Sequence, residues 1–149
     1  MGYETAPFAR ASGEGERLVF GDVTVLIKAS CETTGGAFTI FEEGPPLLDT
    51  PRHVHANEDE VFHVLEGEHI VECGDAEFRL APGGLIFLPR GVPHAHRRVA
   101  PREGRLLVLT VPGGFEGFFR VLADADRAGV LGPDSYAAAS AQYGITWLA

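Results

Sequence analysis

Four side chains that can bind a metal ion stand in two short stretches of this sequence. His53 and His55 are two residues apart, so on an extended strand both imidazoles point to the same side. The polar turn at 56–59 is long enough to bring the carboxylate of Glu60 back beside the two imidazoles. His94 supplies a fourth candidate further along the chain. Two or three neutral imidazoles and one carboxylate are a ligand set typical of a first-row transition metal.

This donor set predicts one bound divalent transition-metal ion. It does not select the element, because Fe, Mn, Ni, Co, Cu and Zn all accept these ligands. An ion held in this way keeps one or two open coordination positions, where it lowers the pKa of a bound hydroxyl or water and polarises a carbonyl group. Glu60 is the predicted carboxylate ligand. Glu58 and Asp59 are interpreted as part of a solvated turn, and Asp59 is the alternative ligand if Glu60 does not bind.

Strand parity sorts the remaining histidines and one arginine. His96 alternates with His94 onto the same face, which predicts a pocket-lining, catalytic role as a hydrogen-bond donor, a substrate contact or an extra ligand. Arg98 shares that parity and could bind an anionic oxygen of a substrate or lie solvated at the rim. His63 is predicted to point away from the metal, and His69 to be a partly buried structural residue.

Short apolar runs separated by turn residues must position these side chains. The chain of 149 residues contains 19 glycines and 10 prolines, a turn-rich composition typical of an all-β domain. About eight short strands of this kind favour a sandwich or a barrel over a parallel α/β sheet. The dipeptide Gly21-Asp22 is typical of a tight hairpin turn between two of them.

Two helices are predicted after the strands. The first has apolar residues at helical spacing: Phe115, Phe118, Phe119 and Leu122. This stripe predicts a helix packed on the rest of the domain, and a lid over a ligand-binding mouth is the alternative. The second helix is predicted in the Ala-rich stretch 134–143, which ends at Gly144.

The charge balance narrows the classes of partner. With 12 Lys and Arg residues against 21 Asp and Glu, the formal net charge is −9, which argues against a nucleic-acid-binding protein. Lys28 is the only lysine, so a polybasic membrane patch is absent, and no apolar run approaches the ~20 residues of a membrane span. The first residues lack the apolar core of a signal peptide. We therefore expect a cytoplasmic protein that acts on a small molecule.

The stretches around the candidate ligands resemble the two motifs of the cupin superfamily, a small double-stranded β-helix fold. The first motif has a glycine, five residues, His-x-His, three or four residues, Glu, six residues and Gly. Residues 53–67 fit its second part, whereas Gly44 lies eight residues ahead of the His-x-His and not five. The stretch 83–94 fits the second motif, and Arg98 stands where that motif ends in Asn. The resemblance covers about residues 17–112.

The resemblance implies that the metal ligands are His53, His55, Glu60 and His94. It also implies an all-β architecture, a double-stranded β-helix or jelly-roll barrel with short C-terminal helices. The expected segments are an N-terminal lead-in at 1–16, the cupin barrel at 17–112 and a helical tail at 113–149 packed on the barrel. A homodimer formed through the barrel edges is expected as well.

A narrower resemblance is to small single-domain bacterial cupins similar to quercetin 2,3-dioxygenase, on the stretches 58–67, 89–95 and 112–119. It implies a dioxygenase that acts on a small polyphenol with adjacent hydroxyl and carbonyl groups. Glu60 would be the catalytic base that takes the hydroxyl proton. The expected apolar wall of the substrate pocket is formed by Phe62, Val64, Phe87 and the phenylalanines of the tail.

Two other functions stay open at this point. The same ion can act as a Lewis acid without redox chemistry, in a cyclase, isomerase or lyase that acts on an aromatic or polyketide-like metabolite. His96 and Arg98 favour this hypothesis, because they add acid–base and anion-binding groups. A non-catalytic cupin that binds a small molecule is the third hypothesis. Dioxygen uptake with a flavonol separates the first function from the other two.

Overall fold

Strands dominate the structure of this chain. The computed structural model describes residues 5–99 and 103–148, and the predicted segments 1–16, 17–112 and 113–149 each include residues outside that part. The described strands are β1 (Glu16–Phe20), β2 (Val23–Ala29), β3 (Thr39–Glu43), β4 (Thr50–His55), β5 (Asp59–Glu66), β6 (His69–Cys73), β7 (Ala76–Leu80), β8 (Leu85–Leu88), β9 (His94–Arg98), β10 (Arg105–Val111) and β11 (Ile145–Trp147). The described helices are α1 (Cys31–Thr34), α2 (Glu116–Arg127) and α3 (Pro133–Gln142).

The strands form two antiparallel sheets with the hydrophobic core between them. The first sheet has six strands in the order β1-β2-β3-β10-β5-β8, and the second has five in the order β11-β4-β9-β6-β7. From β3 to β10 the chain passes repeatedly between the two sheets, so that strands distant in sequence become neighbours. This arrangement confirms the predicted all-β jelly-roll barrel with short C-terminal helices.

Strand β5 shows how the sequence assigns side chains to the inside or the outside. Glu60, Phe62 and Val64 are buried, whereas Val61 and His63 between them are only half-buried. This period of two is typical of a strand with one face on the core. It puts the carboxylate of Glu60 on the inner face and turns His63 away from it.

Two glycines of the motifs and turns have conformations that other residues rarely adopt. Gly21 has a φ of 57° in the turn that joins β1 and β2, which confirms the predicted hairpin. Gly67 has a φ of 82°, and a Cβ atom there would lie 2.6 Å from the carbonyl oxygen of Glu103. Only glycine allows this close approach, which explains the glycine at the end of the first motif.

Helix α2 and the residue before it pack on the core as the apolar stripe predicts. Phe115, Phe118, Phe119 and Leu122 are all buried. Phe119 contacts Phe41 of β3 edge to face, with 4.9 Å between the ring centroids. No helix in the described residues has the length and the apolar character needed to cross a membrane.

The tail is not entirely helical as predicted, because strand β11 follows α3. It pairs with β4, which places Ile145 opposite His55 and Trp147 opposite His53. A strand of three residues is too short to show an alternating pattern in the sequence. Helix α1 was missed for a similar reason, since its four residues span only about one helical turn.

Candidate metal centre

The four candidate ligands come from both sheets and meet on their inner faces. Strands β4 and β9 are paired so that His53 lies opposite His94, and His55 follows on the same face of β4. Glu60 approaches from β5 in the other sheet, after the turn that joins β4 to β5. All four side chains are buried, with 2–6% of their surface exposed.

Their donor atoms converge on one point. Nε2 of His53 lies 3.1 Å from Nε2 of His55. Oε2 of Glu60 lies 3.2 Å from Nε2 of His55 and 3.0 Å from Nε2 of His94. The ligand atoms of the four residues all lie within 4.8 Å of one another. The four predicted ligands are therefore brought together in the structure.

Backbone and carboxylate contacts orient two of the imidazoles. Nδ1 of His53 lies 2.7 Å from the carbonyl oxygen of Pro51. Since a carbonyl only accepts, Nδ1 carries the hydrogen, and the lone pair of Nε2 in the neutral ring points to the centre. Nδ1 of His55 lies 3.6 Å from Oε2 of Glu58, which favours the same tautomer in this ring.

Glu58 was interpreted from the sequence as part of a solvated turn, and that interpretation was wrong. Its side chain is buried against His55, with 7% of the residue exposed. Asp59, the alternative ligand, lies at the surface, where Arg90 donates to its carboxylate at 2.9–3.3 Å. The turn therefore sends one carboxylate inward and the next outward, which polarity alone cannot show.

The charges of these groups influence one another. Burial alone would raise the pKa of Glu60, but His55 and His94 outweigh it and lower that pKa, so the carboxylate is ionised. Burial and the neighbouring His94 lower the pKa of His53 to about 4, which keeps this imidazole neutral. Burial acts in the same direction at His55, where Glu60 and Glu58 outweigh it and raise the pKa.

Several buried polar atoms of this centre have no hydrogen-bond partner among the described residues. They are Oε2 of Glu60, Oε2 of Glu58, Nδ1 of His55 and both ring nitrogens of His94. Of these atoms, Oε2 of Glu60 and Nε2 of His94 face the common point of the cluster. Buried polar atoms are nearly always satisfied, so these unmet lone pairs indicate that the site binds a further group. Three imidazole nitrogens and one carboxylate oxygen fit a divalent transition-metal ion.

The ligands lie in the wall of a cavity of about 230 Å³. Aromatic side chains of the barrel and of the tail form much of the apolar wall, among them Phe41, Phe62, Phe115 and Trp147. Phe62 and the tail phenylalanines are thus placed where the sequence predicts them. The cavity can hold a small molecule with an apolar or aromatic body next to the metal site.

Strand β11 closes the cavity beside the ligands. The ring centroid of Trp147 lies 4.9 Å from that of His53, and the indole N–H donates to Oγ of Ser140 at 2.9 Å. This contact is a consequence of the pairing of β11 with β4, and the sequence analysis missed it. The one available signal was the lone tryptophan after an Ala-rich helix.

His96 also lies in the cavity wall, but it is not one of the four clustered ligands. Its Nε2 lies 2.9 Å from Nδ1 of His69, and Nε2 of His69 donates to the carbonyl oxygen of Glu66 at 2.8 Å. Burial and the neighbouring His69 lower the pKa of His96 to about 4, so its ring is neutral. His69 is fully buried and not partly buried as predicted.

Phe87 does not line the cavity, and its predicted place in the wall was wrong. In β8 the buried residues are Ile86 and Leu88, so Phe87 falls on the outer face and is 55% exposed. All four residues of this strand are apolar, so the sequence contains no alternation from which to assign its inner face. Val64 points inward but is packed in the core, with 1% exposed.

Arg98 lies at the surface, which agrees with the solvated alternative and not with a substrate contact. Its side chain is exposed, and its backbone N–H donates to Oδ1 of Asp49 at 3.0 Å. The burial of β9 decreases from His94 and His96 towards Arg98. Side-chain parity was read correctly, but the strand leaves the cavity before this residue.

Glu43 is a cavity-lining residue that the sequence analysis missed. Its carboxyl group is on the inner face at the end of β3. Burial, assisted by the negative charge of Glu60, raises the pKa of Glu43 to about 7. In the sequence it is one of two adjacent glutamates, and nothing marks which of them points inward.

Comparisons with known proteins agree with this description. Residues 41–110 match the family model described as Cupin domain. Quercetin 2,3-dioxygenase of Bacillus subtilis (strain 168) is 34% identical over 119 residues, which are 79% of this chain and 35% of that protein. The chain thus spans about a third of the length of this relative.

Solved structures show the same fold. An RmlC-like cupin from Shewanella frigidimarina has a TM-score of 0.59 at 18% identity and covers 72% of this chain and 93% of its own. The DMSP lyase DddQ from Ruegeria pomeroyi has a TM-score of 0.51 at 26% identity and covers 60% of this chain and 47% of its own. The match of residues 41–110 to the Cupin domain model, the fold, and the cluster of three histidines and one glutamate all indicate similarity to the cupin superfamily.

Proposed function

We propose that this protein is a metal-dependent enzyme, a quercetinase-like dioxygenase that acts on a small polyphenolic or related oxygenated substrate. One observation carries the proposal: the buried donor cluster opens onto a cavity with an aromatic wall. The similarity to the Bacillus enzyme supports the choice of reaction.

The metal would be held by the imidazoles of His53, His55 and His94 and by the carboxylate of Glu60. When bound, the ion polarises hydroxyl and carbonyl oxygens of a substrate and supports redox chemistry if its element allows this. Pro51 and Glu58 keep the rings in the orientation that binding needs. The chain therefore supplies a site that is ordered before the ion arrives.

Glu60 is the proposed base for the substrate hydroxyl. Its carboxylate is ionised and lies within the donor cluster, so a hydroxyl group that enters the cavity can transfer its proton to a carboxylate oxygen of Glu60. The ring of His96 has a hydrogen bond to His69 and another to the backbone of Leu48, so its predicted catalytic role requires that one of these contacts break. That role stays a prediction.

The aromatic wall would position the ring system of the substrate and exclude water. Phe62 and Phe115 line the cavity from two directions, and Trp147 lies beside the ligand His53. Aromatic side chains favour offset or edge-to-face contacts with a planar ring. A flavonol offers such a ring together with adjacent hydroxyl and carbonyl oxygens.

Dioxygen consumption tests this function. The protein is loaded separately with Fe, Mn, Co, Ni and Cu, and each form is mixed with quercetin and other flavonols in an oxygen-electrode cell. We expect uptake coupled to loss of the flavonol absorbance in at least one form. Glu60→Ala should abolish it, and His63→Ala on the opposite face of β5 should not. Absence of uptake with every metal and flavonol would contradict the proposal.

A non-oxidative reaction is the second candidate. The DMSP lyase DddQ, which is 26% identical over part of the chain, shows that a similar fold serves a lyase. A second carboxyl group in the cavity, that of Glu43, is a group that proton-transfer chemistry without dioxygen could use. Substrate conversion under strictly anaerobic conditions would favour this candidate over the dioxygenase.

A further inference from the structure

Strand β3 ends in two glutamates that point in opposite directions. Glu42 is on the outer face, where Arg105 donates to its carboxylate at 3.4 Å. Glu43 follows the parity of Thr39 and Phe41 onto the inner face, where it lines the cavity of the metal centre. The chain thus provides a matched pair of residues, of which only Glu43 can meet a bound molecule.

Three acidic residues line this cavity, and two of them have partners in the protein. Glu60 lies among the imidazoles, and Asp49 accepts a hydrogen bond from the backbone N–H of Arg98. In the described part of the chain, the carboxyl group of Glu43 has no hydrogen bond or ion pair. A half-buried carboxyl group without a partner is unfavourable for folding, so its place in a cavity wall calls for a partner from outside the chain.

The titratable groups around the cavity determine whether Glu43 is protonated, and therefore which hydrogen bond it can form with a bound molecule. Other titratable groups in the cavity wall are Asp49, His53, His55, Glu60, His94, His96 and Tyr136. Burial and the negative charge of Glu60 favour the protonated form of Glu43 and raise its pKa to about 7. A protonated carboxyl group has one O–H donor, which an ionised group lacks.

We propose that Glu43 keeps its proton and donates a hydrogen bond to a neutral oxygen of the bound substrate, a hydroxyl or carbonyl oxygen away from the metal. This proposal rests on the proposed function for its oxygenated substrate. It adds a specificity: a protonated Glu43 donates to a neutral hydroxyl or carbonyl oxygen, so a polyphenol that places such an oxygen beside Glu43 is preferred over an analogue that lacks it.

Two substitutions at Glu43 distinguish the effect of a hydrogen-bond donor at this position from the effect of a negative charge. Glu43→Gln keeps a donor, an N–H group, and cannot ionise, whereas Glu43→Leu removes the donor at a similar size. Glu42→Leu is the matched control on the outer face. Quercetin is titrated into the zinc-loaded proteins without dioxygen, so that binding is measured apart from turnover.

We expect quercetin to bind to Glu43→Gln as tightly as to the unmodified protein, within about threefold, and to Glu43→Leu about tenfold more weakly. Glu42→Leu should bind as the unmodified protein does. Equal quercetin affinities for all variants would overturn the proposal. An equal loss of affinity in Glu43→Gln and Glu43→Leu would also overturn it, because that result requires an ionised carboxylate at position 43. Metal content and the unfolding midpoint show that each variant is folded and loaded.

Infrared spectroscopy gives a readout that does not depend on any substrate. At about pH 6 ordinary carboxyl groups are ionised, so the carbonyl band of a protonated carboxylic acid should be present in the unmodified protein and absent from Glu43→Gln. A band that persists in Glu43→Gln would overturn the proposal.

The binding and dioxygen experiments distinguish this proposal from the proposed function. If quercetin binds as expected and no dioxygen is consumed, the proposed dioxygenase function is wrong and the role of Glu43 stands. If quercetin does not bind to the unmodified protein, both proposals fail.

Discussion

Contacts behind the ligands define the metal centre as much as the ligands themselves do. The carbonyl oxygen of Pro51 fixes the ring of His53, and Glu58 lies beside the outer nitrogen of His55. Such contacts select the tautomer whose free nitrogen faces the ion. At the scale of single residues, the ligands and the groups that orient them can therefore be tested separately.

Removal of a ligand should remove the metal. Glu60→Ala and His94→Ala each delete one of four donors and leave the remaining buried polar atoms around a cavity. We expect protein purified without added metal to contain close to no ion in either variant by elemental analysis. His63→Ala, on the other face of β5, should keep the metal content of the unmodified protein. Full metal content in both ligand variants would refute the ligand assignment.

Removal of the orienting carboxylate should weaken metal binding without abolishing it. Glu58→Gln keeps the size of the side chain and removes its charge, so His55 loses its electrostatic partner. We expect zinc affinity to fall by about 10- to 100-fold in competition with a chelator. The control is Asp59→Asn, the next residue, which pairs with Arg90 at the surface. A larger loss in the control than in Glu58→Gln would contradict this assignment.

At the scale of elements, one buried carboxylate holds helix α2 against two other parts of the fold. Glu116 is 1% exposed, and it accepts hydrogen bonds from the backbone N–H of Cys31 at 2.6 Å and of Gly114 at 3.0 Å. The hydroxyl of Thr39 donates to Oε2 of Glu116, which also accepts from Gly114, whereas Cys31 donates to Oε1. The start of α1, the end of the turn after β10 and strand β3 therefore meet at a single side chain.

Glu116→Ala should destabilise the protein strongly. It removes the acceptor of the Cys31 N–H and of the Thr39 hydroxyl, whereas the Gly114 N–H keeps its contact with Oγ of Thr39. We therefore expect the free energy of unfolding to fall by about 3 kcal/mol in urea titrations. Glu116→Gln keeps one carbonyl oxygen, so its free energy of unfolding should lie between those of the unmodified protein and Glu116→Ala. Asp134→Ala, in the exposed first turn of α3, serves as the control and should change stability by less than about 0.5 kcal/mol. A similar small effect at Glu116 would contradict the structural role.

The strands and the metal ligands could be predicted from the sequence, whereas the wall of the cavity could be predicted only in part. Alternation in β5 and the His-x-His spacing in β4 place the ligands, because each pattern fixes a face. Phe87 was misplaced because its strand is apolar throughout, and Glu58 because a turn has no period. Glu43 was missed because two adjacent glutamates do not show which of them points inward. The contact of Trp147 depends on a pairing between distant segments, which local patterns do not contain.

At the scale of the whole molecule, the outer face of the first sheet has an apolar band. Register aligns one row across four strands: Ile40, Leu109, Val61 and Phe87. Leu107, His63 and Leu85 continue the band in the next row. Ion pairs border it at both ends, between Arg105 and Glu66 and between Arg90 and Asp59. We propose that a second copy of this chain covers the band. Two copies of an acidic chain can approach each other here, because the acidic groups at the border are already paired with arginines.

Phe87→Asp should therefore convert a dimer into a monomer. The substitution adds a charge to the middle of the band at a position that is 55% exposed, so the monomer itself should stay folded. Size-exclusion chromatography with light scattering measures the mass. Phe78→Asp, at the edge of the other sheet with 44% exposure, is the control and should leave the dimer intact. A monomeric unmodified protein, or dissociation by Phe78→Asp alone, would refute the proposed interface.

The position of Trp147 gives this protein a built-in fluorescent reporter. It is the sequence's single tryptophan, and its ring lies next to a metal ligand at 4.9 Å. Ions with a partly filled d shell, such as Cu or Ni, should quench its emission on binding, whereas Zn, with a filled shell, should leave most of it. Titration with each ion would then yield affinities without a label.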